Sequence, residues 1–145
     1  MGGGKAQAIQ ATPRHQTVKL LLDTHTLLWW FDGDPRLSSK VRKLIESDAN
    51  EIFVSAASVW EITTKVRIGK LPGAAKIARR MPEVIAEQGF TALAITIHHG
   101  QRAGWLPGSH RDPFDRMLAA QAIDHDMPIA TIDAEFEKFG ANRIW

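Results

Sequence analysis

The chain has 145 residues, 44% hydrophobic and 23% charged, which suits one globular domain and excludes a disordered chain. Cysteine is absent, so disulfide frameworks, thiol nucleophiles and cysteine-based zinc sites are excluded, in keeping with a reducing cytoplasm. Of 18 basic residues, Lys5, Arg14 and Lys19 stand before residue 20, leaving 15 against 16 acids, so the body carries −1 and nucleic-acid chemistry must reside in a site rather than in bulk charge.

Residues 1–17 show no usable periodicity and read as a flexible extension, a mis-assigned start or a cloning scar. Their apolar segment, AIQA, is too short for a signal peptide, and no apolar run approaches the roughly 20 residues of a membrane span. The folded domain is expected over 18–145. Val18 to Leu22 is an apolar-rich run ending at Asp23, which fits a buried strand. Thr24 to Phe31 reads as a helix stopped by Asp32, Gly33 and Pro35. Ser38 or Ser39 caps a second helix to about Asp48, and Ile52 to Ser55 is a second strand. Ser55 can cap a third helix, Ala56 to Ile68, ended by Gly69 and Pro72. Residues 74–88 read as one helix broken near Pro82. Phe90 to Ile95 is a third strand, Thr96 caps a helix to about Trp105, and the loop LPGSHR follows. A helix runs from Asp112 to about Asp126, then a strand over Pro128 to Thr131, a helix over Ala134 to Phe139 and an edge strand over Arg143 to Trp145.

Strands alternating with helices predict an α/β fold, its mostly parallel sheet covered on both faces. Sites in such folds form at the carboxyl ends of strands, which directs attention to Asp23, Ser55, Thr96 and Asp133. Each acid near those ends also has a structural use. Asp23 can cap the helix that follows it. Glu61 and Lys65 have the i,i+4 spacing of a solvated ion pair, although Val59, Trp60 and Ile62 flank the glutamate. Asp112 before Pro113 is a helix start, with Asp115 spaced like the acid of a capping box. Asp133 can cap as well. Together, however, Asp23, Asp112/Asp115 and Asp133 fall at strand ends or helix starts of one sheet, with Glu61 a plausible fourth. Carboxylates gathered there repel one another and raise their pKa values unless a cation neutralises them. An oxygen-only donor set suits Mg²⁺ or Mn²⁺ rather than zinc.

The segments LLLDTHTLLWW, FVSAASVWEITTKVRIGKL, HRDPFDRMLAAQA and PIATIDAEF, in this order, resemble a PIN-domain ribonuclease of the VapC toxin type, over roughly residues 18–145. The resemblance implies a three-layer α/β/α fold with a short, mostly parallel sheet. It implies a metal-dependent endoribonuclease, the toxin of a toxin–antitoxin pair, which hydrolyses RNA phosphodiesters with Mg²⁺ or Mn²⁺ and leaves 5′-phosphate and 3′-hydroxyl ends. The family's acids fall on Asp23, Glu61, Asp115 and Asp133, expected to hold metal and act in catalysis; Asp112 is read as a cap or a group supporting those ligands, with a share in holding the metal as the alternative. Thr24, Ser55 and Thr131 are the expected supporting hydroxyls. Arg116 and His110 are candidate substrate contacts. A homodimer and a cognate antitoxin lying over the acids are the implied partners, with no membrane.

Other residues are read more plainly. His25 orients a neighbour or packs, and His98 and His99, being adjacent, face different sides of a helix and make no metal pair. Arg111, Lys65, Arg67 and Lys70 are solvated charges or phosphate contacts, and Trp29, Trp30, Trp60 and Trp105 are core or interface residues. The Leu27–Phe31 run is apolar enough to call for a covering partner. A receiver domain would need an acidic pair at the first strand and a late lysine, and a haloacid-dehalogenase phosphatase would want an acid where His25 stands. A non-catalytic module that keeps the fold and the partner groove is the alternative reading.

Overall fold

The computed structural model describes residues 17–145, so the extension expected over 1–17 lies, but for Thr17, outside the described residues. Five strands, β1 (Lys19–Leu22), β2 (Glu51–Ser55), β3 (Thr91–Leu93), β4 (Ile129–Ala130) and β5 (Arg143–Ile144), form one sheet in the order β3-β2-β1-β4-β5. Every pairing is parallel. The helices are α1 (Thr24–Asp32), α2 (Ser39–Glu46), α3 (Ala56–Arg67), α4 (Ala75–Ala78), α5 (Met81–Glu87), α6 (Ile97–Trp105), α7 (Pro113–Asp124) and α8 (Glu135–Lys138).

The period-2 alternation of β1 divides the core. Leu20 and Leu22 pack on one face with Leu27, Val41, Ile45, Ile62 and Val84, from α1, α2, α3 and α5. Leu21 packs on the other with Leu118, Ala119, Ala122, Phe136 and Phe139, from α7, α8 and the residue after it. All three leucines are buried, as expected of a central parallel strand covered on both faces. These layers are the predicted α/β/α sandwich.

The connections position the site. From β1 the chain winds outward through β2 to β3, then returns to the opposite side of β1 to form β4. The direction reverses between β1 and β4, and ligand crevices open at such switch points beyond the carboxyl ends of the strands. Asp23 follows β1 directly, and Thr131 and Asp133 follow β4.

Three expectations change in detail. The stretch 74–88 is not one helix: a 3₁₀ turn over Pro72–Ala74 leads into α4, and α5 starts at Met81 with Pro82 in its first turn. Proline at that position lacks only an N–H that a first turn leaves unpaired, so it starts a helix rather than breaking one. The third strand covers only Thr91–Leu93, because the chain turns away towards Thr96, whose side chain and that of His99 close a capping box on α6. The Leu27–Phe31 run is largely covered by the chain itself. Leu27 and Leu28 are buried, Trp29 lies edge-on to Trp145 and under Arg36, and Trp30 packs near Phe90 and bonds Gln88. Among the described residues the most exposed large apolar side chains are Ile97 (90%), Trp105 (83%) and Trp60 (61%), so Trp60 and Trp105 are not core residues.

Candidate active site

Asp23, Glu61, Asp115 and Asp133 line one cleft of about 360 Å³, together with Asp112, His25, Lys65 and Ile132. Four separate elements bring these acids together. Asp23 stands where β1 ends and caps α1, its Oδ1 accepting the Thr24 N–H at 2.7 Å. Its Oδ2 accepts the Thr131 hydroxyl at 2.7 Å, and the same Thr131 oxygen accepts the Asp133 N–H at 3.0 Å. One buried hydroxyl therefore fixes the acids that follow β1 and β4. Asp133 Oδ1 in turn accepts the Glu135 N–H.

Glu61 reaches the cleft from α3, a helix capped by Ser55 through the Ala57 N–H. The solvated-face reading of Glu61 fails: the residue is 3% exposed. The i,i+4 ion pair does form, Lys65 Nζ meeting Glu61 Oε2, but it forms inside the cleft. The other oxygen, Glu61 Oε1, is buried without a hydrogen-bond partner.

Asp112 caps α7 through the Phe114 and Asp115 N–H groups. The capping-box spacing does not close here, because the Asp115 carboxylate turns instead to His110, whose Nε2 donates to Oδ2 at 2.8 Å. A helix start has thus released its third residue to the cleft. Arg116, a candidate substrate contact, is turned away from it. Its guanidinium donates to the carbonyls of Ala103, Leu106 and His110 and stacks over Phe139. Three carbonyl bonds occupy the fork that would grip a phosphate, so Arg116 holds the 106–111 loop and, through it, the backbone of His110. Of the two candidate contacts, His110 is at the acids and Arg116 behind them.

Thr24 is buried beside the site, its Oγ1 hydrogen-bonded to Ser58 Oγ at 2.9 Å, which ties α1 to α3. Ser55 acts on Glu61 only through the helix it caps. Ser58 and the cleft position of Lys65 escape a reading by spacing, since a serine one turn into a helix and an i,i+4 lysine carry no local signal of burial.

Burial and crowding set the electrostatics. Burial lifts the Asp23 carboxyl from 3.8 to about 7 against the Thr131 and Thr24 bonds, with Asp115 and Glu61 adding to the rise. Burial also raises Asp115, the His110 bond opposing it and Asp112 and Glu61 reinforcing it. The bond to Asp115 holds the His110 imidazole above its ordinary value.

These features fit a divalent cation. The acids supply only hard oxygen donors, Glu61 Oε1 lacks a partner, and Asp23 and Asp115 bear a penalty for ionisation that a cation would remove. Among the described residues, no three carboxylates of the cleft bring oxygens within 4.8 Å of one another. The acids are thus gathered in one cleft without forming a closed ligand shell. The grouping that does converge so closely is His99, Asp124 and His125. His99 meets a histidine not from its own helix but from across the helix pair, His125, the residue that ends α7. His99 Nδ1 accepts the Thr96 N–H, which places the ring proton on Nε2, 3.0 Å from His125 Nε2. A ring protonated there joins α6 to α7 by a hydrogen bond and has no lone pair for a metal.

The model of the PIN domain family matches residues 20–142 of the chain. Ribonuclease VapC22 of Mycobacterium tuberculosis is 32% identical over 115 residues, covering 79% of this chain and 86% of that protein. Among solved structures, VapBC2 from Rickettsia felis, bound to a DNA fragment from its promoter, superposes with a TM-score of 0.66 at 14% identity, over 88% of this chain and 98% of that one. FitAcB from Neisseria gonorrhoeae gives 0.64 at 20% identity, over 87% and 96%.

Proposed function

Because the chain belongs to the PIN domain family, we infer that it is a metal-dependent endoribonuclease and the toxin of a toxin–antitoxin pair. The observation that carries this reading is the convergence of Asp23, Glu61, Asp115 and Asp133 on one cleft at the sheet's switch point. A curated relative named a ribonuclease supports the activity, and the folds shared with VapBC2 and FitAcB support an antitoxin partner.

Asp23, Glu61, Asp115 and Asp133 would hold Mg²⁺ or Mn²⁺, with Asp112 beside them. Such an ion supplies positive charge to a scissile phosphate and lowers the pKa of the attacking water. The chain's own residues prepare that chemistry. Thr131 orients Asp23, His110 orients Asp115, and the Thr24–Ser58 bond sets α1 against α3. RNA is the proposed substrate, with His25 in the cleft wall and His110, bonded to Asp115, the groups placed to meet it. A homodimer is proposed as well, supported by the exposed apolar side chains Ile97, Trp105 and Trp60, and light scattering on purified protein tests it.

The direct test is cleavage of a mixed RNA pool with Mn²⁺ or Mg²⁺, with EDTA, and with Asp23→Asn prepared identically. Cleavage that requires metal and is lost in the variant is the expected result. Equal cleavage by both preparations would sink the assignment. Asp23→Asn cleaving nothing while the wild type also cleaves nothing, with metal bound by neither, would favour the non-catalytic module.

A further inference from the structure

The cleft contains its own cation. Its lining carries five acids, Asp23, Glu61, Asp112, Asp115 and Asp133, and one lysine, Lys65. Lys65 stands one turn after Glu61 on α3, and its ammonium is bonded to Glu61 Oε2. The two side chains are unequally exposed, 32% for the lysine and 4% for the glutamate, so the pair is anchored on the buried acid and open on the side of the base. Burial disfavours the charged lysine, but the Glu61 bond, with Asp112 and Asp115 behind it, holds the ammonium above its ordinary value. An ammonium held by a buried carboxylate among further acids is not free to grip a phosphate. A cation that enters at the partnerless Glu61 Oε1 meets the Lys65 ammonium already on Oε2 of the same carboxylate, and the two like charges repel.

We propose that Lys65 is a built-in counter-cation of the acidic cleft: it neutralises Glu61 and its neighbours until a divalent cation takes the carboxylate and displaces the ammonium. The proposal rests on the reading of the cleft as a metal site. It makes Lys65 a positioning residue that sets how tightly the cleft takes metal and that keeps the acids compatible with a folded chain. Displaced from Glu61, the flexible four-carbon stem lets the ammonium swing towards solvent or towards bound RNA.

The test is calorimetric titration of Mn²⁺ into wild type, Lys65→Met, Lys65→Gln, Lys65→Arg and Asp23→Asn, with melting curves before and after saturation. Lys65→Met keeps the length and apolar stem, and Lys65→Gln keeps a donor for Glu61 should the methionine variant not fold. Both are expected to bind Mn²⁺ about tenfold more tightly than wild type, since a competing charge is gone. Both should melt lower without metal and gain more on saturation. Lys65→Arg, which keeps the charge, should bind like wild type. Wild-type or weaker Mn²⁺ affinity in the two neutral variants would overturn the proposal. If wild type binds Mn²⁺ and Asp23→Asn does not, such a result removes only the role of Lys65. If wild type binds none, the metal reading of the cleft falls and this proposal falls with it.

Discussion

Thr131 carries more of the site than its size suggests. Its hydroxyl donates to Asp23 Oδ2 and accepts the Asp133 N–H, so removing it leaves a buried carboxylate and a backbone donor short of a partner. Thr131→Val, which keeps the shape, should cost about 1–3 kcal/mol in denaturant unfolding. It should also lower cleavage roughly 10–100-fold, as expected when a group that orients a metal ligand is lost. The same bond holds the Asp23 pKa down against burial, so its loss should move the acid limb of the pH–rate profile upwards. A wild-type limb in Thr131→Val would mean that Asp23 is not the group titrating in that profile. Asp23→Asn separates stability from activity in the opposite sense. Above about pH 7 the variant spares the fold a buried charge, so it should melt at or above wild type without metal while losing catalysis.

At the level of elements, helix starts double as mounts for the acids of the cleft. Asp23 caps α1 and Asp112 caps α7, and both also line the cleft. This double use explains what a sequence reading finds. Strand-end acids and helix caps are local patterns, so Asp23, Asp133 and Asp112, and the α/β alternation around them, are legible from spacing. The burial of Glu61 is not, because the i,i+4 partner that marks a solvated pair is present and is itself folded into the cleft. Only the joint order of the motifs gives Glu61 and Asp115 their place. Arg116 misleads for a related reason: its position beside the acids is visible in sequence, but its three carbonyl bonds depend on how the 106–111 loop closes. Arg116→Lys keeps the charge and loses the planar fork, so it should cost about 2 kcal/mol or more and slow cleavage by freeing the His110 loop. Proteolysis within residues 106–111, faster in the variant, checks the loop directly. Gly33, at φ 61 beyond α1, is a further local requirement, and Gly33→Ala should cost about 1 kcal/mol in thermal unfolding without touching the site.

The whole molecule pays for its cleft in pH dependence. A carboxyl whose pKa is higher folded than unfolded contributes stability that is full below the unfolded value, here 3.8, and is lost as pH rises through the folded value, about 7. For Asp23 alone the loss is at most roughly 4 kcal/mol. Asp115 and His110, both also raised, act with the same sign. Without metal, wild type should therefore lose stability relative to Asp23→Asn across that window, and the difference between their melting temperatures isolates the one carboxyl. A divalent cation in the cleft reverses the trend, since it favours the ionised acids and must displace their protons. Titrating Mg²⁺ in buffers of different ionisation enthalpy should then show about half a proton released per ion near pH 7, rising towards one a unit or more below it and falling towards none well above it. Release that stays constant across this range would place the raised carboxyl outside the metal's ligands, whereas release that falls with pH ties the buried acid at the end of the central strand to the bound cation.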